Sequence, residues 1–145
     1  MLDANVGEIL AYKGGDVHTV GLQDPVLEAV QRMNVCHIGS LVVTDGERVV
    51  GIFTERDVLV RVLAAERNPA DTPICDVMTP QLVSISPATT VRAAMRVVSD
   101  TRCRHLPVMV GGRLVGLISS GDLSEWLLRN QRRHIDELQD YICRG

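Results

Sequence analysis

The sequence predicts an α/β fold of two β-α-β-β-α repeats packed as a pseudo-twofold pair. Three observations predict it. The octet Gly51-Ile52-Phe53-Thr54-Glu55-Arg56-Asp57-Val58 returns 65 positions later as Gly116-Leu117-Ile118-Ser119-Ser120-Gly121-Asp122-Leu123. The same offset carries Val26, Ala29, Leu41, Val43, Gly46, Arg48 and Val50 onto Val91, Ala94, Leu106, Val108, Gly111, Arg113 and Val115. Within each copy, apolar residues switch from strand to helix spacing in the same order. A unit of about 60 residues is marginal by itself, so each copy is expected to bury an exposed sheet face against the other.

In the first copy, Val17 to Val20 alternates as a short strand. A helix starts at Asp24 or Pro25, proline being suited to a first turn. Val26, Ala29, Val30 and Met33 form its buried stripe. Leu41-Val42-Val43 is a β-branched run, Asp45-Gly46 a tight turn, and Arg48 to Phe53 the returning strand. A second helix follows from Glu55 to Ala65, with Val58, Leu59, Val62 and Leu63 as its apolar face.

The second copy repeats each step. Leu82 to Ile85 is the strand, and Ala88 to Val98 a helix with Val91, Ala94, Met95 and Val98 inside. Leu106 to Met109, the turn Gly111-Gly112, Leu114 to Ile118 and a helix from Gly121 to Leu128 complete it. Each copy has a lead-in, Val6 to Leu10 and Ile74 to Met78. The spacing after the first lead-in is three residues longer. The domain reading is therefore residues 5–66 for repeat one with its lead-in, 67–73 for a proline-containing linker, 74–128 for repeat two and 129–145 for a C-terminal helix.

Composition narrows the function. The chain has 145 residues, 46% hydrophobic and 23% charged, which is ordinary globular composition. Aromatics are 3%, so Val, Leu, Ile, Ala and Met must fill the core. A net charge of −3 argues against a nucleic-acid partner, which needs a basic surface. Lys13 is the only lysine, and nothing in the sequence gives it a role. No apolar stretch reaches the roughly 18 residues of a membrane span. The N-terminus, from Met1, lacks the pattern of a signal peptide, so a cytoplasmic protein is expected. Cys36, Cys75, Cys103 and Cys143 lack zinc-site spacing and are expected to be reduced, mostly buried thiols.

The lead-in Asp76-Val77-Met78-Thr79-Pro80, the segment Arg104-His105-Leu106-Pro107-Val108 and the paired octets carry a resemblance. From residue 5 to 128 the chain resembles a tandem cystathionine-β-synthase (CBS) domain pair, or Bateman module. It is similar to the stand-alone bacterial and plant organellar members, which consist of the pair and a C-terminal helix. The resemblance implies a non-enzymatic regulatory module. It implies an adenosine-containing ligand (AMP, ADP, ATP, S-adenosylmethionine or NAD(H)) bound in clefts between the repeats, with no covalent cofactor. It also implies a homodimer acting on an unknown regulated protein.

A carboxylate can accept both vicinal hydroxyls of a ribose, and Asp57 and Asp122 suit that role. Thr54 and Ser119 stand at strand-to-helix junctions, where free N–H groups favour an anion. The same spacing makes Thr54-x-x-Asp57 and Ser119-x-x-Asp122 capping boxes, and both readings stay open. The resemblance implies that each cleft mixes repeats. Site one would join Thr54 and Asp57 with Ser84, Cys103, Arg104 and His105. Site two would join Ser119 and Asp122 with Thr19, Ile38, Gly39 and Ser40, beside His37. Arg104 and His105 put cationic donors next to site one, whereas site two has Gly39 and Ser40 at the matching positions, so phosphate is expected at site one.

No catalytic set emerges. His18 and His134 stand apart from any nucleophile, and Ser119-Ser120-Gly121 is not the G-x-S-x-G elbow of a hydrolase. Leu127, Leu128, Ile135, Leu138, Tyr141 and Ile142 form a broken stripe that could cover a sheet edge or pack in a dimer, the dimer being favoured. The alternative to a ligand sensor is a dimerisation or interaction scaffold with vestigial clefts.

Overall fold

The repeat is visible in single backbone angles. His37 and Arg102, 65 residues apart, both adopt the left-handed conformation, with φ of 53° and 58°. Gly46 and Gly111, at the same offset, take φ of 63° and 55° in the two hairpin turns. A computed structural model describes residues 4–80 and 83–144. In chain order its elements are α1 (Val6–Lys13), β1 (Thr19–Gly21), α2 (Val26–Cys36), β2 (Ser40–Asp45), β3 (Arg48–Thr54), α3 (Glu55–Asp57), β4 (Thr79–Pro80), α4 (Val91–Thr101), β5 (His105–Val110), β6 (Arg113–Ser119) and α5 (Ser120–Arg144). A π-helical stretch, Val58–Leu63, continues α3, and a 3-10 turn, Ile74–Asp76, precedes β4.

The chain forms two compact units. The first is Asp16–Ser84 with Val110–Val115; the second is Met1–Gly15, Ile85–Met109 and Gly116–Gly145.

In the first unit β1 pairs parallel to β2, β2 antiparallel to β3, and β3 antiparallel to β4. Leu41, Val43 and Phe53, the only phenylalanine, are fully buried. They pack with Val26, Ala29 and Met33 of α2, Val62, Ile74 and Val77. Helix α2 begins after Pro25, in extended conformation, and ends at His37, whose N–H bonds the Met33 carbonyl.

The helix expected over Glu55 to Ala65 forms differently. Beyond Asp57 it is π-helical, and of the predicted face only Val62 is fully buried. Leu59 is 61% and Leu63 57% exposed, and Val58 is half-buried. The wider i→i+5 winding takes residues spaced at 3 and 4 off a common face. Glu66 then turns left-handed, and Pro69 and Pro73 follow.

In the second unit the described part of the expected first strand makes one bridge. Leu82, where it was expected to start, lies outside the described residues, as does the loop residue Gln81. Ile85 pairs parallel to Val108, as Val20 pairs to Val43 in the first copy. Val91 and Ala94 of α4 are buried, but Met95 is 38% exposed and Val98 half-buried, contrary to the predicted stripe. Helix α5 is one continuous element of 25 residues, without a break at residue 129. No glycine or proline follows Gly121 until Gly145, and Glu125–Arg129 and Arg133–Glu137 pair one turn apart.

The lead-ins exchange copies. Ala4 and Val6 bond Val91 and Thr89 of the second copy, and Gly7 N donates to Pro87 O at 2.9 Å. Ile74 and Cys75 donate to Asp24 and Leu22 of the first copy, each at 2.9 Å. The expectation of buried cysteines is corrected: Cys36, Cys75 and Cys103 are half-buried and Cys143 is exposed, all four as free thiols. Cys36, Cys103 and Cys143 sit at helix ends and Cys75 in the 3-10 turn, where the chain leaves the packed layer.

Candidate functional site

Each octet carries its strand into a helix, and in each the hydroxyl and the aspartate close on one another. In the first unit, Asp57 N donates to Thr54 Oγ1 at 3.3 Å, and Thr54 N donates to Asp57 Oδ2 at 3.0 Å. The capping box is complete. Asp57 is 6% exposed, and two further groups account for so buried a charge. The Thr79 hydroxyl donates to Oδ1 at 3.2 Å, and Arg61 Nε stands 3.7 Å from the same oxygen. Arg61 also donates to the Met78 carbonyl at 2.7 Å, tying the helix to the residues leading into β4.

In the second unit, Ser119 N donates to Asp122 Oδ2 at 2.8 Å and Asp122 N to Ser119 Oγ at 3.0 Å. Here a cation touches the carboxylate: Lys13 Nζ is 2.6 Å from Asp122 Oδ2 and 2.8 Å from the Leu117 carbonyl. Burial pushes the Asp122 carboxyl up. The Lys13 and Ser119 hydrogen bonds and the lysine charge outweigh it and hold the group below the usual carboxylate range. The C-terminus of α1 is further docked by aromatics. Tyr12 meets Trp126 edge-on at 6.5 Å, and the Arg129 guanidinium lies 4.1 Å over the Tyr12 ring.

The remaining candidates divide between the units. Thr19, Ile38, Gly39, Ser40 and Ser84 belong to the first, with Thr54 and Asp57; Cys103, Arg104 and His105 belong to the second, with Ser119 and Asp122. Within each unit the segment before the second strand meets the octet of its own copy. Glu55 N donates to Gly39 O at 3.1 Å and Ser40 pairs with Thr54; in the second copy Ser120 N donates to Arg104 O at 2.8 Å. Thr19 is half-buried and its carbonyl accepts from Arg32. Ser84 and Arg104 are exposed, and Cys103 and His105 half-buried. His37, exposed, is the left-handed C-cap of α2.

Two cavities adjoin the octets. In the first unit an open groove of about 600 Å³ is lined by Met33, His37, Ile38, Gly39, Glu55 and Leu59, among others. That is the size range of small-ligand sites. In the second unit a cavity of about 100 Å³ lies among Ile9, Tyr12, Lys13, Asp122, Glu125, Trp126 and Arg129. Among the described residues no group of three His, Cys, Asp or Glu is placed to hold a metal. No helix among them is long and apolar enough to cross a membrane.

The family model for the CBS domain matches residues 6–64 and again residues 74–129. The chain belongs to the CBS-domain family. CBS domains are regulatory modules that commonly bind a small ligand. A mitochondrial CBS domain-containing protein of Arabidopsis thaliana is 33% identical over 127 residues, covering 84% of this chain and 62% of that protein, so the chain spans less than two thirds of that relative. Among solved structures, a protein with CBS domains from Burkholderia ambifaria is 36% identical with a TM-score of 0.80, covering 88% of this chain and 96% of that one. A CBS-domain protein of Agrobacterium tumefaciens is also 36% identical, with a TM-score of 0.76 and coverage of 83% and 97%. The mixed α/β fold with its two CBS repeats is therefore the fold of CBS pair structures.

Sequence reasoning missed the partners of the two carboxylates. Thr79 and Arg61 stand at Asp57, and Lys13 with Tyr12, Trp126 and Arg129 surrounds Asp122. One signal existed: a single lysine in a chain that otherwise uses arginine. Its partner could not be read, because it lies 109 residues away.

Proposed function

We propose that this CBS pair is a non-catalytic sensor of an adenosine-containing ligand, AMP or another adenine nucleotide, NAD(H) or S-adenosylmethionine. The observation that carries the proposal is the doubled strand-to-helix junction, each holding a buried or half-buried aspartate by the backbone N–H of its own hydroxyl residue. Such a carboxylate is fixed in place before a ligand arrives, which suits the acceptance of two ribose hydroxyls. The groove beside Gly39 and Glu55 gives the first unit room for a base and sugar. Arg104, exposed before β5, offers a cation for phosphate.

The protein works as a homodimer in the cytoplasm, passing the ligand signal to a separate regulated protein, without nucleic acid or membrane. Exposed Leu59, Val60 and Leu63 in one unit and Leu128, Ile135 and Leu138 in the other support the dimer. Those residues equally suit a second reading, a dimerisation scaffold without a ligand. Calorimetry against AMP, ADP, ATP, S-adenosylmethionine and NADH separates the two. Saturable binding of at least one supports the sensor; no heat and no thermal shift with any of them leaves the scaffold.

A further inference from the structure

The two octets read alike in sequence but differ in charge. The oxygens of Asp57 face hydroxyl and backbone donors, with Arg61 no nearer than 3.7 Å. Asp122 is clasped by an ammonium at 2.6 Å through Oδ2 alone; among the described residues no hydrogen bond reaches its Oδ1. Lys13 and Asp122 line the same small cavity as Trp126, and the Trp126 indole nitrogen is buried without a hydrogen-bond partner among the described residues. The other charges of that cavity are already committed. Arg129 bonds Glu125 at 2.8 Å and stacks on Tyr12. Lys13, on a flexible stem and with its side chain 38% exposed, is the cation able to turn toward a new anion.

We propose that Lys13 is the anion-selecting residue of the second octet: ribose hydroxyls take the open oxygen of Asp122, and a phosphate enters the cavity beside Lys13 and Trp126. This rests on the adenosine-ligand reading above and assigns one of its sites a preference. It gives the second octet a cation besides the Arg104 that the sequence placed at site one. The second octet, flanked by Gly39 and Ser40 in the sequence reading, has its own positive charge supplied by α1. About 100 Å³ suits a phosphate-sized group rather than a whole nucleotide. The Asp122–Lys13 pair keeps the site neutral when empty. A neutral nucleoside then has to share Asp122 with an ammonium and gives it nothing in return, whereas a phosphorylated one supplies the replacement anion.

Trp126 is the only tryptophan and lines this cavity, so its fluorescence reports binding here. The test titrates the full-length protein with AMP and with adenosine, following Trp126 emission, in parallel with calorimetry. AMP is expected to bind about tenfold more tightly than adenosine, the worth of one charge-assisted hydrogen bond. The gap should narrow as salt rises. Lys13→Met should bring the two affinities within about threefold, and Lys13→Arg should restore most of the preference. An unchanged AMP-to-adenosine ratio in Lys13→Met overturns the assignment. So does calorimetric binding that leaves Trp126 emission unmoved, although the adenosine-ligand reading then survives. No binding of either compound by calorimetry or thermal shift rejects that reading, and the inference with it.

Discussion

Lys13 Nζ and Asp122 Oδ2 stand 2.6 Å apart, joining the last residue of α1 to the second octet across 109 positions of sequence. The pair has a definite pH signature. The folded state holds the Asp122 carboxyl below its unfolded value, near 3.9. Stability from the pair is therefore fully present above that unfolded value and is lost as pH falls through the folded one. Asp122→Asn should lower the urea midpoint at pH 7 and become nearly neutral at the acid end of the native range. Because Lys13 is more than a third exposed, the effect should be about 1 kcal/mol or less. An equal loss at both pH values would show that the carboxylate's charge, held by Lys13 and by the Ser119 cap, does not stabilise this junction.

Asp57 has a double duty. Its carboxylate closes the capping box and holds Thr79, while nearly buried. Asp57→Ala should cost the free protein about 1–3 kcal/mol, from the lost charge-assisted hydrogen bonds of its carboxylate to Thr54 N and the Thr79 hydroxyl. In the same variant AMP binding should weaken roughly 10–100-fold if the carboxylate accepts ribose hydroxyls. Chemical denaturation without ligand and calorimetry with AMP measure the two separately. A folded Asp57→Ala protein that binds AMP like the parent removes Asp57 from the site.

The leading glycines of the octets should differ in their tolerance. A methyl group on Gly51 would lie 2.8 Å from the Thr79 carbonyl and 2.7 Å from Met78 Sδ. On Gly116 its three nearest atoms would all belong to the Leu10 side chain, from 2.5 Å. Backbone cannot step aside as a leucine rotamer can. Gly51→Ala should therefore cost about 1–3 kcal/mol by overpacking, and Gly116→Ala less. Thermal unfolding of the two variants checks the order. A Gly116→Ala protein as unstable as Gly51→Ala would mean that Leu10 is locked in place.

Removal of residues 134–145 takes away Ile135, Leu138, Tyr141 and Ile142, which are 49–79% exposed in the single chain. It spares Tyr12, Trp126 and Arg129, which anchor the first turns of α5. The truncated protein should stay folded and bind nucleotide, but dissociate at higher concentration than the full chain. Light scattering across a dilution series shows this. A full-length protein that is monomeric throughout rejects the homodimer.

Much of this fold was legible because the sequence states it twice. The offset of 65 located strands, turns and helices of the second copy from those of the first, and the structure repeats even the left-handed caps at His37 and Arg102. Hydroxyl and aspartate three residues apart announced their mutual closure, a contact inside one helical turn. Less legible was whatever depends on a helix's neighbours. The stripe Val58, Leu59, Val62 and Leu63 assumed α-helical winding, and π-helical winding exposed half of it. Lead-in Val6 to Leu10 reads as the start of the first copy because it precedes it, yet its hydrogen bonds go to the second.

By itself the sequence determined the repeat, the order of elements and the two octets, all of which depend on local spacing or composition. Only the tertiary structure decided what each aspartate faces. Asp57 received Thr79, and Asp122 received Lys13, because the exchange of lead-ins carries a different segment onto each octet. Local patterns fix the conformation of a turn over a few residues. The charge beside a carboxylate is set by whichever chain segment packs there, and sequence separation says nothing about that.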